Sequence, residues 1–224
     1  MSDEPAAGTT ARERILQSAC ALIAERGIGG ARIAQIANAA GVSTALVHYH
    51  FRTREVLLAE TLDYAFDVAA AVRLRATLDN GESAADGSAA RRLADVVEQS
   101  LPTTDPGRRE WQLWAELWLG AARDPSLRPI AAQMYARYRT WIATAVAEGV
   151  ADGEFAPVDP GETADLAMAL IDGLGLRVLL GDPSMPLERA RERIGEVLAR
   201  ELQISAGQLP FAADGPPVHA RARR

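Results

Sequence analysis

The chain has 224 residues, 48% of them apolar, a formal net charge of −6 and one cysteine. That much apolar material suffices for one large domain, or a small domain plus a medium one, without covalent staples. A single thiol excludes an internal disulfide framework and points to a reducing cytoplasm; no signal peptide opens the chain, and the most apolar stretch, residues 164–180, is interrupted by Asp165, Asp172 and Arg177, which argues against a membrane partner.

Residues 1–9 are mostly small and polar and are expected to be disordered. Structure is expected from Thr10, which forms a capping box with Glu13 and opens a helix whose apolar face carries Ile15, Ala19, Leu22, Ile23 and Ala24 until Gly27 ends it. Cys20 lies on the apolar side of that helix and is read as packing. Ile33, Ile36, Ala37 and Ala40 then repeat at helical spacing, Gly41 offers a positive-φ position, and Ser43 is an N-cap for a second short helix. This is the pattern of a helix-turn-helix, whose second helix lies in the DNA major groove. Thr44, Ala45, His48 and Tyr49 fall largely opposite Leu46, Val47 and Phe51, so they are the side chains expected to meet DNA; Thr44 and Ala45 can also touch a thymine methyl. His48 and His50, two apart on a helix, face different directions and make no metal pair; His50 is expected to pack between helices. Residues 10–54 hold six arginines against two acids, a local charge of +4 that leaves −10 for the rest. A DNA-facing module on an acidic body accounts for that split.

Thr53 is the N-cap of a long fourth helix bearing Val56, Leu57, Leu58, Leu62, Ala65 and Phe66 and running to about Leu78. Residues 79–88 read as a loop, followed by helices near 89–101, 107–123, 126–150, 161–180 and 187–202, punctuated by segments rich in Pro, Gly and Asp. No alternating pattern is sustained, so the fold class is all-α. The tail 206–224 lacks a core-forming pattern and is expected to be disordered. Trp111, Trp114 and Trp118 recur at i, i+3, i+7, and Met134, Tyr138 and Trp141 at i, i+4, i+7 on a later helix. Two such stripes serve either as core packing or as the walls of a ligand pocket with Glu110 and Asp172 as charges. Rings and carboxylates together attract organic cations; a neutral apolar molecule is the alternative. No nucleophile, phosphate loop or metal-spaced ligand set accompanies the carboxylates, so neither an enzyme nor a cofactor is expected.

A first helix ending in ERG, then IAQIANAAGVS, then a helix closing in HYHF, then one opening with TREVLL, resembles the N-terminal domain of the tetracycline-repressor (TetR) family of bacterial transcription regulators over about residues 10 to 60. WQLWAELWLGAARDPSLR, VADGEF and IDGLGL further resemble the ligand-binding half of the branch that includes the choline-responsive repressor. The resemblance implies a homodimer joined through the last two helices of each chain, a palindromic double-stranded DNA operator, and a small-molecule effector that spreads the two heads. Arg54 stands where the family commonly has a lysine, and its position at a helix N-terminus makes it a phosphate anchor. Arg32, Ser43 and Thr53 join it as flanking DNA-binding candidates. The family's threonine near the start of the second helix is replaced by Ala31 or Arg32, so the cap is expected to fall to Gly30. The expected divisions are a DNA-binding domain over 10–54 and an effector-binding and dimerisation domain over 55–205, with Leu170, Leu174, Ile194, Val197 and Leu198 as dimer contacts. The function this implies is repression relieved by an effector; activation, effector-independent DNA binding, or an interaction module without DNA binding are the alternatives.

Overall fold

The structure, a computed structural model, describes residues 10–79, 87–209 and 211. Among the described residues it is helical throughout, without strands: α1 (Ala11–Gly30), α2 (Ile33–Ala39), α3 (Thr44–His50), α4 (Arg54–Asp79), α5 (Ala89–Gln99), α6 (Asp105–Arg123), α7 (Arg128–Ala151), α8 (Pro160–Leu179) and α9 (Leu187–Glu201), with short 3-10 turns at Pro125–Leu127 and Ala206–Gln208. Expectations for residues 1–9, most of the loop after α4, Pro210 and residues 212–224 lie outside the described residues. No described helix is long and apolar enough to cross a membrane.

Two compact units divide the chain, and the division differs from the expected break at residue 54. One unit takes in the described residues through Asp79 and Thr104–Arg137; the other takes in the described residues of Asn80–Thr103 and Tyr138–Arg224. The reason is a shared core. Ile15, Leu16, Ala19, Ile36, Val47 and Phe51 of α1–α3 pack in one apolar cluster with Leu57, Leu58 and Leu62 of α4 and with Leu113, Leu117, Leu127 and Met134 from the later segment. Apolar periodicity identifies a helix face without naming the face it meets.

In the first unit, the Thr10 amide donates to Glu13 Oε2 at 2.7 Å and the Glu13 amide to Thr10 Oγ1 at 3.2 Å, the reciprocal box the spacing predicts. The Thr10 amide, and after it the Thr10 hydroxyl, donate to the Glu13 carboxyl and hold it below the usual carboxylate range. α1 is kinked at Gly27, whose φ of 72° is left-handed. The cap of α2 falls on Arg32, not on Gly30: Gln35 Oε1 accepts the Arg32 amide at 3.3 Å, and the Gln35 amide in turn donates to the Arg32 carbonyl at 2.9 Å. Gly41, at φ 66°, lets the chain leave α2 while the Val42 amide bonds to Ala37 O at 2.9 Å.

In the second unit, α5 begins where Ser88 Oγ accepts the Arg91 amide, and the Glu154 carboxylate accepts the amides of Ala89 and Ala90. Leu93, Val97, Ile142, Val146, Ile194, Leu198 and Leu202 are all wholly buried. Arg191 of α9 grips Glu98 of α5 through two guanidinium nitrogens. The 3-10 turn at Ala206–Gln208 corrects the expectation that the tail is structureless from 206: Leu209 is buried and the Phe211 ring lies over Gly195, where a Cβ would come within 2.7 Å of it. Leu209 and Phe211 are isolated apolar residues, too few to make a periodic pattern in the sequence.

Candidate DNA-reading helix and aromatic cluster

α3 is only seven residues long and is defined at both ends by specific bonds. Ser43 Oγ accepts the Leu46 amide at 3.1 Å, and the Phe51 amide closes the last turn on Val47 O at 2.8 Å. Val47 and Phe51 are each 1% exposed and anchor the helix in the core. The Arg12 guanidinium sits 5.7 Å over the Phe51 ring and pairs with Glu60, so α1 and α4 brace the end of α3. The opposite side is free: Ser43, Thr44, Ala45 and His48 are exposed, and Tyr49 is 80% exposed. His50 makes an edge contact with Tyr49 at 5.4 Å and a tilted one with Phe51 at 6.1 Å.

The flanking candidates frame this face. Arg32 is exposed at the cap of α2, and Thr53 is exposed while its Oγ1 accepts the Val56 amide at 3.2 Å at the start of α4. Arg54 is exposed too, but one of its nitrogens donates to the carbonyl of Ile28, so part of this guanidinium is committed inside the protein. Its charge also helps keep the Asp124 carboxyl low, after the stronger effect of the Ser126 amide and hydroxyl. Arg52 is exposed beside them; its charge was visible in the sequence but carried no positional signal.

The predicted aromatic residues divide between the units. Glu110, Trp111, Trp114, Trp118 and Met134 belong to the first, and Tyr138, Trp141 and Asp172 to the second. In the first unit the Trp114 and Trp118 rings lie 5.9 Å apart and Trp111 meets Trp118 edge-on at 6.0 Å. The fourth ring is Tyr135, which the sequence reading missed: it lies 5.8 Å from Trp114 and stacks on Trp118 at 6.3 Å with 22° between planes. Met134, chosen in its place, is 3% exposed and packs in the apolar core with Leu117 and Leu127. Tyr135 and Tyr138 are three apart, a spacing that fits a helix stripe as well as the chosen one. Glu110, one turn before Trp114, is buried at 7% exposure. The Trp118 indole N–H is shielded from solvent and has no acceptor among the described residues. In the second unit Tyr138 and Trp141 make an edge contact at 6.1 Å, and Asp172 is half-buried on α8.

The dimer candidates need a correction. Ile194 and Leu198 are wholly buried within their own unit, Leu174 packs beside Val178, Met185 and Ala190, and Leu170 and Val197 are half-buried. Helical periodicity gave the apolar face of α9 correctly but not its owner. On α8 and its C-cap, Ala169, Gly173, Leu176 and Leu180 are exposed at i, i+4, i+7, i+11, and elsewhere Val56 and Val68 of α4 and Leu119 of α6 are exposed too.

The family model described as bacterial regulatory proteins, tetR family, matches residues 15–61, and the BetI-type transcriptional repressor C-terminal model matches residues 89–203. The HTH-type transcriptional regulator BetI of Escherichia coli (strain K12) is 30% identical over 184 residues, covering 80% of this chain and 87% of that protein. A TetR-family regulator from Rhodococcus sp. has a similar structure, with a TM-score of 0.75, 32% identity and coverage of 86% of this chain and 98% of that one. A transcriptional regulator from Saccharomonospora viridis, solved in complex with choline, has a TM-score of 0.69 and 33% identity over 86% of this chain and 97% of its own. The chain belongs to the tetR family of bacterial transcription regulators and carries a BetI-type C-terminal domain behind its helix-turn-helix.

Proposed function

We propose that this protein is a homodimeric repressor that reads a palindromic operator with α3 and is released from it by a small organic cation held at the tryptophans of α6. The observation that carries the DNA half is the outward face of α3: Thr44, Ala45, His48 and Tyr49 are exposed on a helix fixed by its cap and by Val47 and Phe51. A short helix anchored on one side and open on the other suits major-groove readout, and we assign the exposed Arg32, Ser43, Thr53 and the remaining donors of Arg54 to phosphates. The effector half is supported by a cluster of four rings, in which Trp118 contacts Trp111, Trp114 and Tyr135, on a helix that also carries the buried Glu110 one turn before Trp114; rings and a carboxylate of this kind suit a quaternary ammonium. The unsatisfied Trp118 N–H suits a ligand oxygen such as a hydroxyl. The choline bound to the Saccharomonospora viridis relative supports the same chemistry. For the dimer, the exposed stripe on α8 supplies small residues for close helix approach and two leucines for burial, and a two-fold axis would set it against its own copy.

Release follows from linkage: a ligand that binds the DNA-incompetent arrangement more tightly weakens DNA binding by the same factor that DNA weakens ligand binding. The test is fluorescence anisotropy with a labelled duplex from the region upstream of the protein's own coding sequence, at rising salt and with or without choline. Binding that falls with salt, falls again with choline, and is lost in Tyr49→Ala is expected. Absence of binding to any such duplex at low salt would sink the DNA half, and indifference to choline would sink the effector half.

A further inference from the structure

One peptide unit in the first unit is held from two sides. At the Gly27 kink the helical ladder of α1 is interrupted, and the Ile28 amide donates to Glu116 Oε2 of α6 at 3.2 Å. The carbonyl of the same residue accepts from Arg54, the first residue of α4. A Cβ built on Gly27 would lie 2.5 Å from Glu116 Oε2, so the carboxylate fills the space that any side chain there would need. α2 begins at Ile33, a few residues downstream, and α3 follows it. The direction in which α1 hands the chain to the helix-turn-helix is therefore set where Glu116 and Arg54 grip Ile28.

Glu116 also stands between Trp114 and Trp118 in sequence. At about 100° per residue, Trp111, Trp114 and Trp118 fall within about 60° of one another around the α6 axis, and Glu116 points to nearly the opposite side. α6 thus carries the aromatic cluster on one face and the hold on Ile28 on the other. A rotation of about 20° at a carboxylate radius of about 6 Å moves Oε2 by about 2 Å, which is more than a hydrogen bond tolerates. There is room for that movement, because a cavity of about 290 Å³ lies beside the joint, lined among others by Ile28, Arg54, Glu116, Leu119, Asp124 and Leu127.

We propose that Glu116 is a positioning residue for DNA reading: its bond to the Ile28 amide fixes the angle at which α2 and α3 are presented, and a ligand that turns α6 at its tryptophan face undoes that bond. The proposal rests on the reading of α3 as the DNA-contacting helix and of the tryptophans as the effector site. It is tested on the full chain with Glu116→Ala, which removes the acceptor, and Glu116→Gln, which keeps an acceptor without the charge. Three quantities are measured: hydrogen exchange at the Ile28 amide, affinity for the upstream duplex with and without choline, and the thermal midpoint. Glu116→Ala is expected to speed Ile28 exchange about tenfold, to weaken duplex binding about tenfold, and to shrink the further weakening caused by choline. Glu116→Gln is expected to bring exchange and affinity back to within about threefold of the wild type. A merely structural role would lower the midpoint and leave the ratio of affinities with and without choline unchanged, and that result overturns the proposal. So do unchanged Ile28 exchange in Glu116→Ala, or a Glu116→Gln protein as weak as Glu116→Ala. If the wild type binds no duplex, the functional reading fails; if it binds and the variants bind equally well, the proposal alone fails.

Discussion

Replacing Trp114 by alanine separates a ligand site from ordinary packing. The side chain is half-buried, touches the rings of Trp118 and Tyr135, and borders the apolar core of the first unit. Truncating a fully buried aromatic residue costs about 3–5 kcal/mol, so a half-buried one should lose about 2 kcal/mol of stability. That loss occurs whether or not a ligand binds. The ligand contribution is additional: a desolvated cation over an aromatic face gains about 1–2 kcal/mol, which makes choline binding about five- to thirtyfold weaker in Trp114→Ala. Trp114→Phe keeps a ring and should stay within about threefold of the wild type. Urea unfolding measures the stability change and calorimetric titration with choline chloride measures the affinity, so the two effects are read independently. A folded Trp114→Ala protein whose choline affinity is within a factor of two of the wild type would refute the cage and leave the tryptophan stripe as core.

Two further outcomes follow from the geometry. Arg191 and Glu98 are paired at side-chain exposures of 12% and 16%, so Arg191→Met alone strands the Glu98 carboxylate and should cost about 3 kcal/mol, while adding Glu98→Leu should bring the loss under about 1 kcal/mol; urea unfolding that finds the double substitution at least as costly as Arg191→Met would contradict the pair's role. The Cys20 thiol, pushed up to about 12 by burial from 9.0, gains stability in its neutral form, so the contribution is complete below about pH 9 and is lost as pH rises from there toward 12. At pH 8 a disulfide reagent should modify it about a thousandfold more slowly than a free thiol, and labelling at the free-thiol rate in the folded protein would count against that burial.

Local chemistry was the legible part of the sequence. The Thr10 box, the Ser43 and Thr53 caps, and the positive φ at Gly41 each depend on residues within a few positions of one another, and each appears where the spacing places it. Partner choice was not legible. The same 3.6-residue period that identified the apolar face of α9 could not say whether Ile194 and Leu198 meet their own unit or a second copy. The choice between Met134 and Tyr135 turned on a rotation of one residue about α7, finer than apolar spacing resolves, and put a core residue where the fourth ring belongs. Glu116 left no signal, because an exposed-looking acid on an amphipathic helix acquires meaning only when the kink at Gly27 frees toward it an amide 88 residues earlier in the chain.

α3 is too short to persist as an isolated helix, and its existence depends on Ser43, Val47 and Phe51, none of which has to touch a base. The four outward positions, Thr44, Ala45, His48 and Tyr49, carry almost none of that burden. Substitutions there can be accumulated or designed with little thermodynamic penalty, so, if α3 reads DNA as proposed, the head can be retargeted to a new binding sequence while the helices that hold it stay as they are.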